Sequence, residues 1–281
     1  VKCDSASNFL FVNGELRSRL DDKLFNRISR ESIYEVIKML NGVPLFFEDH
    51  MDRLSRSLNL RGNNIRISNR RVKNEINGLI EKTGCYDINV KLLWYPVDDH
   101  MEFMTYFIQQ DTPTKEAYQR GVHTILFSGE RKNPHVKTIK TSYRDQAANI
   151  RESTGAFEAL LVDDGGYIPE GTRSNFFYLI DNQIYTPPSE GVLLGVTRQH
   201  VMSICSNIGI MVKQQKLHLD GLTLLEGAFI TGTSIDVLPV RSIEDVKFDS
   251  ALHPTIDKIA RAFDRHVQNY VKHHRYQRSS Q

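Results

Sequence analysis

The chain has 281 residues, of which 40% are hydrophobic and 25% charged, and a formal net charge of +2. This is the balance of a globular chain long enough for about two domains, and it argues against a fibrous, disordered or membrane-spanning protein. So mild a charge gives no reason to expect a nucleic-acid or membrane-surface partner.

The first hairpin signal is Asn13-Gly14, which sits inside an alternating run from Asn8 to Arg17. A second β-rich run, Ser32 to Met39, turns at Asn41-Gly42 into Val43 to Phe47. A helix follows with Met51, Leu54, Ser55 and Leu58 on one stripe, Asp49 and Asp52 in its early turns and Arg61-Gly62 at its end. Arg71 to Lys82 reads as a further helix stopped by Gly84, and Ile88 to Tyr95 and Glu102 to Gln109 as paired strands.

The polar, proline-bearing stretch Gln110 to Lys115 is the expected linker. It separates a small N-terminal α/β domain, 1–112, from a larger C-terminal α/β domain, 118–281. Beyond it come a strand at Val122 to Phe127, a lysine-bearing extended segment, and a helix with Tyr143, Ala147 and Ile150 on one stripe. Strands are expected at Phe157 to Val162 and Ser174 to Ile180, the first turning at Asp163 to Gly166 and the second at Asp181-Asn182. A helix burying Val201, Ile204, Cys205 and Ile208 stops at Gly209, and a last one starts after Pro254 with Ile256, Ile259, Phe263, Val267 and Tyr270 on one stripe. The basic tail from Lys272 to Arg278 reads as a solvated helix end. The fold class is therefore mixed α/β (α+β) in two units.

Cys3, Cys85 and Cys205 are odd in number and carry no metal or redox spacing, which argues against a disulfide framework. With no leader-like apolar core at Val1 to Ser5 and no long apolar run, the expected location is cytoplasmic. His273-His274 are adjacent and point differently on a helix, so no metal is expected. Dinucleotide, Walker and His-Glu-x-x-His motifs are absent from the sequence.

Four strings carry chemistry in chain order. His135 to Thr141 holds Lys137 and Lys140, and Ile168 to Phe177 contains Pro169-Glu170-Gly171-Thr172-Arg173-Ser174-Asn175. Leu194-Gly195-Val196-Thr197-Arg198 and Thr231-Gly232-Thr233-Ser234 follow. A lysine amine can hold an aldehyde cofactor as a Schiff base, a carboxylate can keep a pyridine nitrogen protonated, and Gly-bearing turns can surround a phosphate with N–H groups. Together they read as a site for pyridoxal 5′-phosphate (PLP).

This order resembles the class IV aminotransferases, the fold-type-IV PLP family that includes branched-chain and D-amino-acid aminotransferases and aminodeoxychorismate lyase. The resemblance extends upstream to Tyr34-Glu35-Val36-Ile37, Asn41-Gly42 and His50-Met51-Asp52-Arg53-Leu54, and so covers about Ile33 to Val240. It implies a two-domain enzyme with the cofactor at the domain interface, the Schiff-base lysine on the larger domain, and a homodimer. Phe157 lies 20 residues after Lys137 and 17 after Lys140; the family interval of about 20 favours Lys137, with Lys140 the alternative. In an extended segment the two side chains point to opposite faces. Lys140 would then stand where the family usually has asparagine.

By the same resemblance Glu170 is the ring-nitrogen carboxylate. Val196 and Thr197 offer N–H groups to the phosphate at a helix start, Thr233 and Ser234 act from a second turn, and Arg53 supplies compensating charge although it lies off its helix's apolar stripe. Leu193 packs against the cofactor ring or is simply core. Tyr34 reaches the substrate or packs in its strand. Ser174 and Asn175 bond around the cofactor or hold the strand turn. Lys91 to Pro96 lacks the Arg-x-His pair by which D-amino-acid enzymes capture a carboxylate, while Trp94, Tyr95 and Phe103 line an apolar pocket or are core. The expected activity is transfer of an amino group from a branched-chain or other apolar L-amino acid to a 2-oxo acid. The alternatives are a pyruvate-releasing lyase, a D-amino-acid aminotransferase and a cofactorless binding protein.

Overall fold

The computed structural model describes residues 4–18, 23–29, 31–63, 65, 67–97, 100–109, 112–129, 134–139 and 142–278. They form two compact units, one of Val1–Asp111, Val136–Lys140 and Val267–Gln281, the other of Thr112–His135 and Thr141–His266.

The first unit opens with the hairpin β1 (Ser5–Val12) and β2 (Glu15–Ser18). Asn13 and Gly14 both adopt positive φ, 50° and 91°, the left-handed pair whose twist matches antiparallel strands. Then come α1 (Lys23–Asn26), β3 (Ile33–Leu40), β4 (Val43–Pro44), α2 (Phe47–Asn59), α3 (Asn69–Thr83), β5 (Asn89–Val97) and β6 (His100–Ile108). The expected strand Val43 to Phe47 is shorter than its apolar run, because α2 already begins at Phe47. Gly84, at φ 67°, ends α3 and donates its N–H to Ile80 O, as the sequence predicts.

The sheet order is β2-β1-β6-β5-β3-β4, antiparallel at each pairing. Both faces are covered. On one, Ile33, Ile37, Val90, Leu92, Trp94 and Phe103 pack with Leu54 and Leu58 of α2 and Leu79 of α3. On the other, Leu10, Leu93, Tyr95, Met104 and Tyr106 pack with Leu24 and Phe25 of α1.

Residues 136–139 lie along β3. Tyr34 N donates to Lys137 O at 3.0 Å, Ile139 N to Ser32 O at 3.1 Å, and Thr138 bridges Ile33. Val136 joins the first core and Ile139 the second, the opposite-face placement expected three residues apart in an extended chain. These bonds place the Lys137 segment in the first unit, where the sequence assigned it to the C-terminal domain. Residues 267–281 also belong to the first unit.

The second unit contains α4 (Lys115–Arg120), β7 (Val122–Ser128), α5 (Ser142–Thr154), β8 (Glu158–Val162), β9 (Tyr167–Ile168), β10 (Asn175–Ile180) and β11 (Gln183–Thr186). After these come α6 (Val196–Asn207), β12 (Val212–Gln214), β13 (Leu217–His218), β14 (Gly227–Gly232), β15 (Asp236–Ile243), β16 (Val246–Lys247) and α7 (Pro254–Arg278), of which only the part up to His266 belongs to this unit. The stretch read as linker thus runs into a short helix, capped by Thr114, whose side chain accepts from Ala117 N. Ile150, expected on the buried stripe of α5, is 42% exposed, whereas Ala147 is buried.

The main sheet runs β12-β11-β10-β14-β15-β7-β8, with β16 on β15. Its ladder closes on itself, since Leu160 of β8 bridges Gly171 and Glu170 bridges Asn175 of β10. The seam of that closure is the Glu170–Asn175 turn.

Candidate active site

In the first unit the sheet presents one charged residue of β3 to the helices. Ile33, Glu35, Ile37 and Met39 alternate with Tyr34, Val36 and Lys38, so Glu35 shares the apolar face and is 0% exposed. Desolvating a carboxylate costs several kcal/mol unless charge and donors compensate it. His50 and Arg53, three apart on α2, do so. Arg53 Nε donates to Glu35 Oε1 and Nη2 to Oε2, both at 2.7 Å, and His50 Nδ1 lies 3.0 Å from Oε2.

Burial alone would raise the Glu35 carboxyl, but the Arg53 guanidinium and the His50 and Arg53 hydrogen bonds hold it well below the usual range. For His50, burial lowers the imidazole pKa despite Glu35, and Arg53 and Lys137 act in the same direction as burial. Burial would also lower Arg53, but the Glu35 charge outweighs it, and Arg53 stays cationic. Arg53, off the apolar stripe of its helix, is nevertheless buried at 4% exposure. Tyr34 faces the other way, its ring centroid 5.2 Å from Lys137 Nζ and 5.4 Å from Lys91 Nζ. Lys91 in turn donates to Asp4 Oδ2 at 2.6 Å.

In the second unit Glu170 is 1% exposed. Its Oε2 accepts from Leu193 N at 3.1 Å and, at 3.4 Å, from Asn175 Nδ2. Asn175 Nδ2 also donates to Leu193 O at 2.8 Å, so this amide ties the carboxylate to the turn that begins α6. Gly195 is the N-cap of that helix and no side chain caps it. The first-turn N–H groups of Val196 and Thr197 thus lack the side-chain acceptor that most helices place there. A Cβ on Gly195 would collide with Asn175 Oδ1, which requires glycine at this point. Asn175 pairs with Thr231 of β14, so their side chains share a sheet face. The Thr231 hydroxyl is buried and has no hydrogen-bond partner among the described residues.

The sequence-predicted residues of this unit therefore gather on adjacent segments. Leu193 is buried, Val196 and Thr197 start α6, and Thr233 and Ser234 occupy the half-buried turn after β14. Ser174 holds the strand turn, donating to Glu158 Oε2 at 2.9 Å. Lys140 lies outside the described residues. Trp94, Tyr95 and Phe103 do not line one pocket: Trp94 and Phe103 pack together under the helices, while Tyr95 belongs to the opposite face.

Sequence reasoning assigned no role to Glu35, His50, Glu158 or Arg198. Arg198 is buried and reaches Thr186 Oγ1, Pro187 O and Ser189 Oγ, anchoring α6 to the end of β11. A signal for Glu35 existed, a charged residue on an otherwise apolar strand face. Glu158 had none nearby, because its partners lie 14 and 16 residues on.

A buried carboxylate, a helix start without a side-chain cap behind an obligatory glycine, and a buried hydroxyl on the neighbouring strand that has no partner among the described residues fit a ligand with a cationic ring nitrogen and a phosphate. The amino-transferase class IV family model matches residues 32–243. The chain belongs to the class IV aminotransferases, and PLP is their cofactor. It is 24% identical over 253 residues, 84% of this chain and 87% of the relative, to a probable branched-chain-amino-acid aminotransferase of Rickettsia felis. Similarity to the D-alanine aminotransferase of Bacillus licheniformis is 28% over 226 residues, 76% of this chain and 79% of the relative. The fold matches the branched-chain aminotransferase of the thermophilic archaeon Thermoproteus uzoniensis, solved with norvaline, at a TM-score of 0.81 and 21% identity over 94% of this chain and 96% of that one. No helix among the described residues is long and apolar enough to cross a membrane.

Proposed function

We propose that this aminotransferase moves the amino group of an apolar L-amino acid, branched-chain by preference, to a 2-oxo acid, with Lys137 as the cofactor-binding amine and Glu170 as the partner of the ring nitrogen. The observation that carries the assignment is the Glu170–Leu193 N–H contact, which couples a buried carboxylate to the uncapped start of α6. Bound PLP supplies an aldehyde that condenses with amines and an electron-withdrawing ring.

Glu170 keeps a proton on the ring nitrogen, because an adjacent carboxylate favours the cationic form. Lys137 Nζ, once neutral, would take and return the proton of the substrate α-carbon. Val196 and Thr197 N–H groups, the Thr233 and Ser234 turn and the Thr231 hydroxyl receive the phosphate. Arg53 adds charge there, held in place by Glu35. Leu193 packs on the ring and Tyr34 faces the substrate beside Lys137. The branched-chain preference is supported by the name of the Rickettsia felis relative and by the lack of an Arg-x-His pair in Lys91 to Pro96. The working form is a cytoplasmic homodimer.

A donor screen with 2-oxoglutarate as acceptor tests the activity. Valine, leucine or isoleucine of L configuration should give their 2-oxo acids fastest. Faster turnover of D-alanine overturns the stereochemical reading, and pyruvate release from aminodeoxychorismate without an acceptor replaces transfer by elimination. Borohydride reduction followed by peptide mapping should leave the cofactor on Lys137; a label on Lys140 overturns that assignment.

A further inference from the structure

Glu158, the first residue of β8, is 1% exposed and has no part in the chemistry described so far. Both its oxygens are engaged. Thr172 Oγ1 donates to Oε1 at 2.6 Å and Ser174 Oγ to Oε2 at 2.9 Å, while Ala159 N also donates to Oε1 at 2.9 Å. Arg173 Nε stands 4.0 Å from Oε2, on a half-exposed side chain.

Thr172 and Ser174 lie in the turn that joins Glu170 to Asn175. Its backbone is pinned to β8 as well: Leu161 N donates to Glu170 O at 2.8 Å and Thr172 N to Ala159 O at 2.9 Å. Gly171 N closes the turn on Ser174 O at 2.8 Å. A Cβ on Gly171 would collide with Ser174 Oγ and crowd Glu158, so the turn is packed onto this carboxylate. At its stems, Glu170 bridges Asn175, and both side chains contact Leu193.

We infer that Glu158 is a positioning residue that clasps both hydroxyls of the 171–174 turn and thereby fixes the aim of the Glu170 carboxylate. The inference rests on the reading of Glu170 as the ring-nitrogen partner. A carboxylate suits the task because it accepts from two hydroxyls at once, whereas an amide offers one acceptor oxygen and an unwanted donor. Stability alone does not account for the group. Burying a carboxylate on largely neutral donors is costly, and an apolar set of the same volume is often neutral or stabilising by comparison. What the carboxylate adds is geometry, since a displacement of about 1 Å near reacting atoms can cost about 100-fold in rate.

The test is a thermodynamic cycle on the PLP-loaded enzyme. Single-turnover rates with an L-amino acid are read from the cofactor's visible absorbance for wild type, Glu158→Gln, Glu170→Gln and the double variant. Glu158→Gln should keep its bound cofactor and slow the α-proton step about 10- to 100-fold. Added to Glu170→Gln, it should slow the reaction by less than about 2-fold further, because an effect exerted through Glu170 disappears with Glu170. A wild-type rate for Glu158→Gln, or two losses that multiply in the double variant, overturns the inference while leaving Glu170 in its role. A wild-type rate for Glu170→Gln overturns both. Should Glu158→Gln fail to fold, Thr172→Val and Ser174→Ala each remove one hydroxyl and leave the carboxylate. Each is then expected to slow the step several-fold and to lose that effect in the Glu170→Gln background; independence of either from Glu170 overturns the proposal.

Discussion

The two units bury carboxylates in opposite ways. In the first, Glu35 is surrounded by a guanidinium and an imidazole, so the charge is balanced within the protein and the carboxyl stays ionised. In the second, the hydrogen bonds described for Glu158 and Glu170 come from hydroxyls, a side-chain amide and backbone N–H groups, all neutral. A closed ion pair is a structural device, serving to hold Arg53 in one orientation. Around Glu158 and Glu170 the hydrogen bonds tie the carboxylates to a turn and to a helix start, so their work is orientation. Burial alone therefore does not say what a carboxylate does; the groups it holds in place do.

The sharpest way to break this contrast is to remove each acid. Glu170→Ala should leave the fold and the lysine-bound cofactor intact while slowing amino transfer by a factor on the order of 1000 or more, comparable to losing other strong electrostatic contacts in active sites. A fully active variant would remove Glu170 from the chemistry. Glu35→Ala should act chiefly on stability, because it strands the buried Arg53 charge, at a cost of about 3–5 kcal/mol. Urea unfolding followed by far-UV circular dichroism reads this, and a midpoint like that of wild type would show that the ion pair does not hold the first unit together.

Acid sharpens the same contrast. The folded-state pKa of His50 is lowered, so the unfolded chain binds its proton first. Its contribution to stability is complete above the unfolded value of about 6.5 and is lost as pH falls below it, at up to about 1.4 kcal/mol per pH unit. Glu35, also lowered, adds its own loss below about pH 4.3. Urea midpoints at pH 7.5 and 5.5 should therefore diverge in wild type and converge in His50→Asn; an equal divergence in that variant would place the sensitivity elsewhere.

The smallest expected effect is at Thr231. Its hydroxyl lacks a partner among the described residues, so Thr231→Val should leave the cofactor-free stability unchanged or slightly raised. If the hydroxyl receives the phosphate, affinity for pyridoxamine 5′-phosphate falls by about 1 kcal/mol, read by calorimetry. Unchanged affinity would take Thr231 out of the phosphate cradle.

Local signals made much of the fold legible. Asn13-Gly14 and Asn41-Gly42 specify their turns by the left-handed φ they adopt, and the stop of α3 at Gly84 has the same origin. The motif strings also indicated which residues of the second unit cluster, since Leu193, Val196 and Thr197 are neighbours in sequence. Long-range pairing was not legible. Arg53 lies off the apolar stripe of its helix, and nothing local announces that Glu35, 18 positions earlier, meets it and that both are buried. The Lys137 segment reads as part of the chain that follows, yet its hydrogen bonds go back to Ser32 and Tyr34. Ile150 fits a buried stripe by spacing and is exposed.

The seam at Gly171–Ser174 bears on how such a chain can vary in length. Hairpins such as Asp163–Gly166 can lengthen with their strand pairing intact, because their tips carry no ladder bridge. The turn at the seam is different: one extra residue would shift Gly171 off Leu160, or Asn175 off Thr231, and uncouple β8 from β10. Insertions and deletions should therefore be tolerated at the first turn and rejected at the second, which makes the spacing between Glu170 and Asn175 a fixed dimension of this architecture.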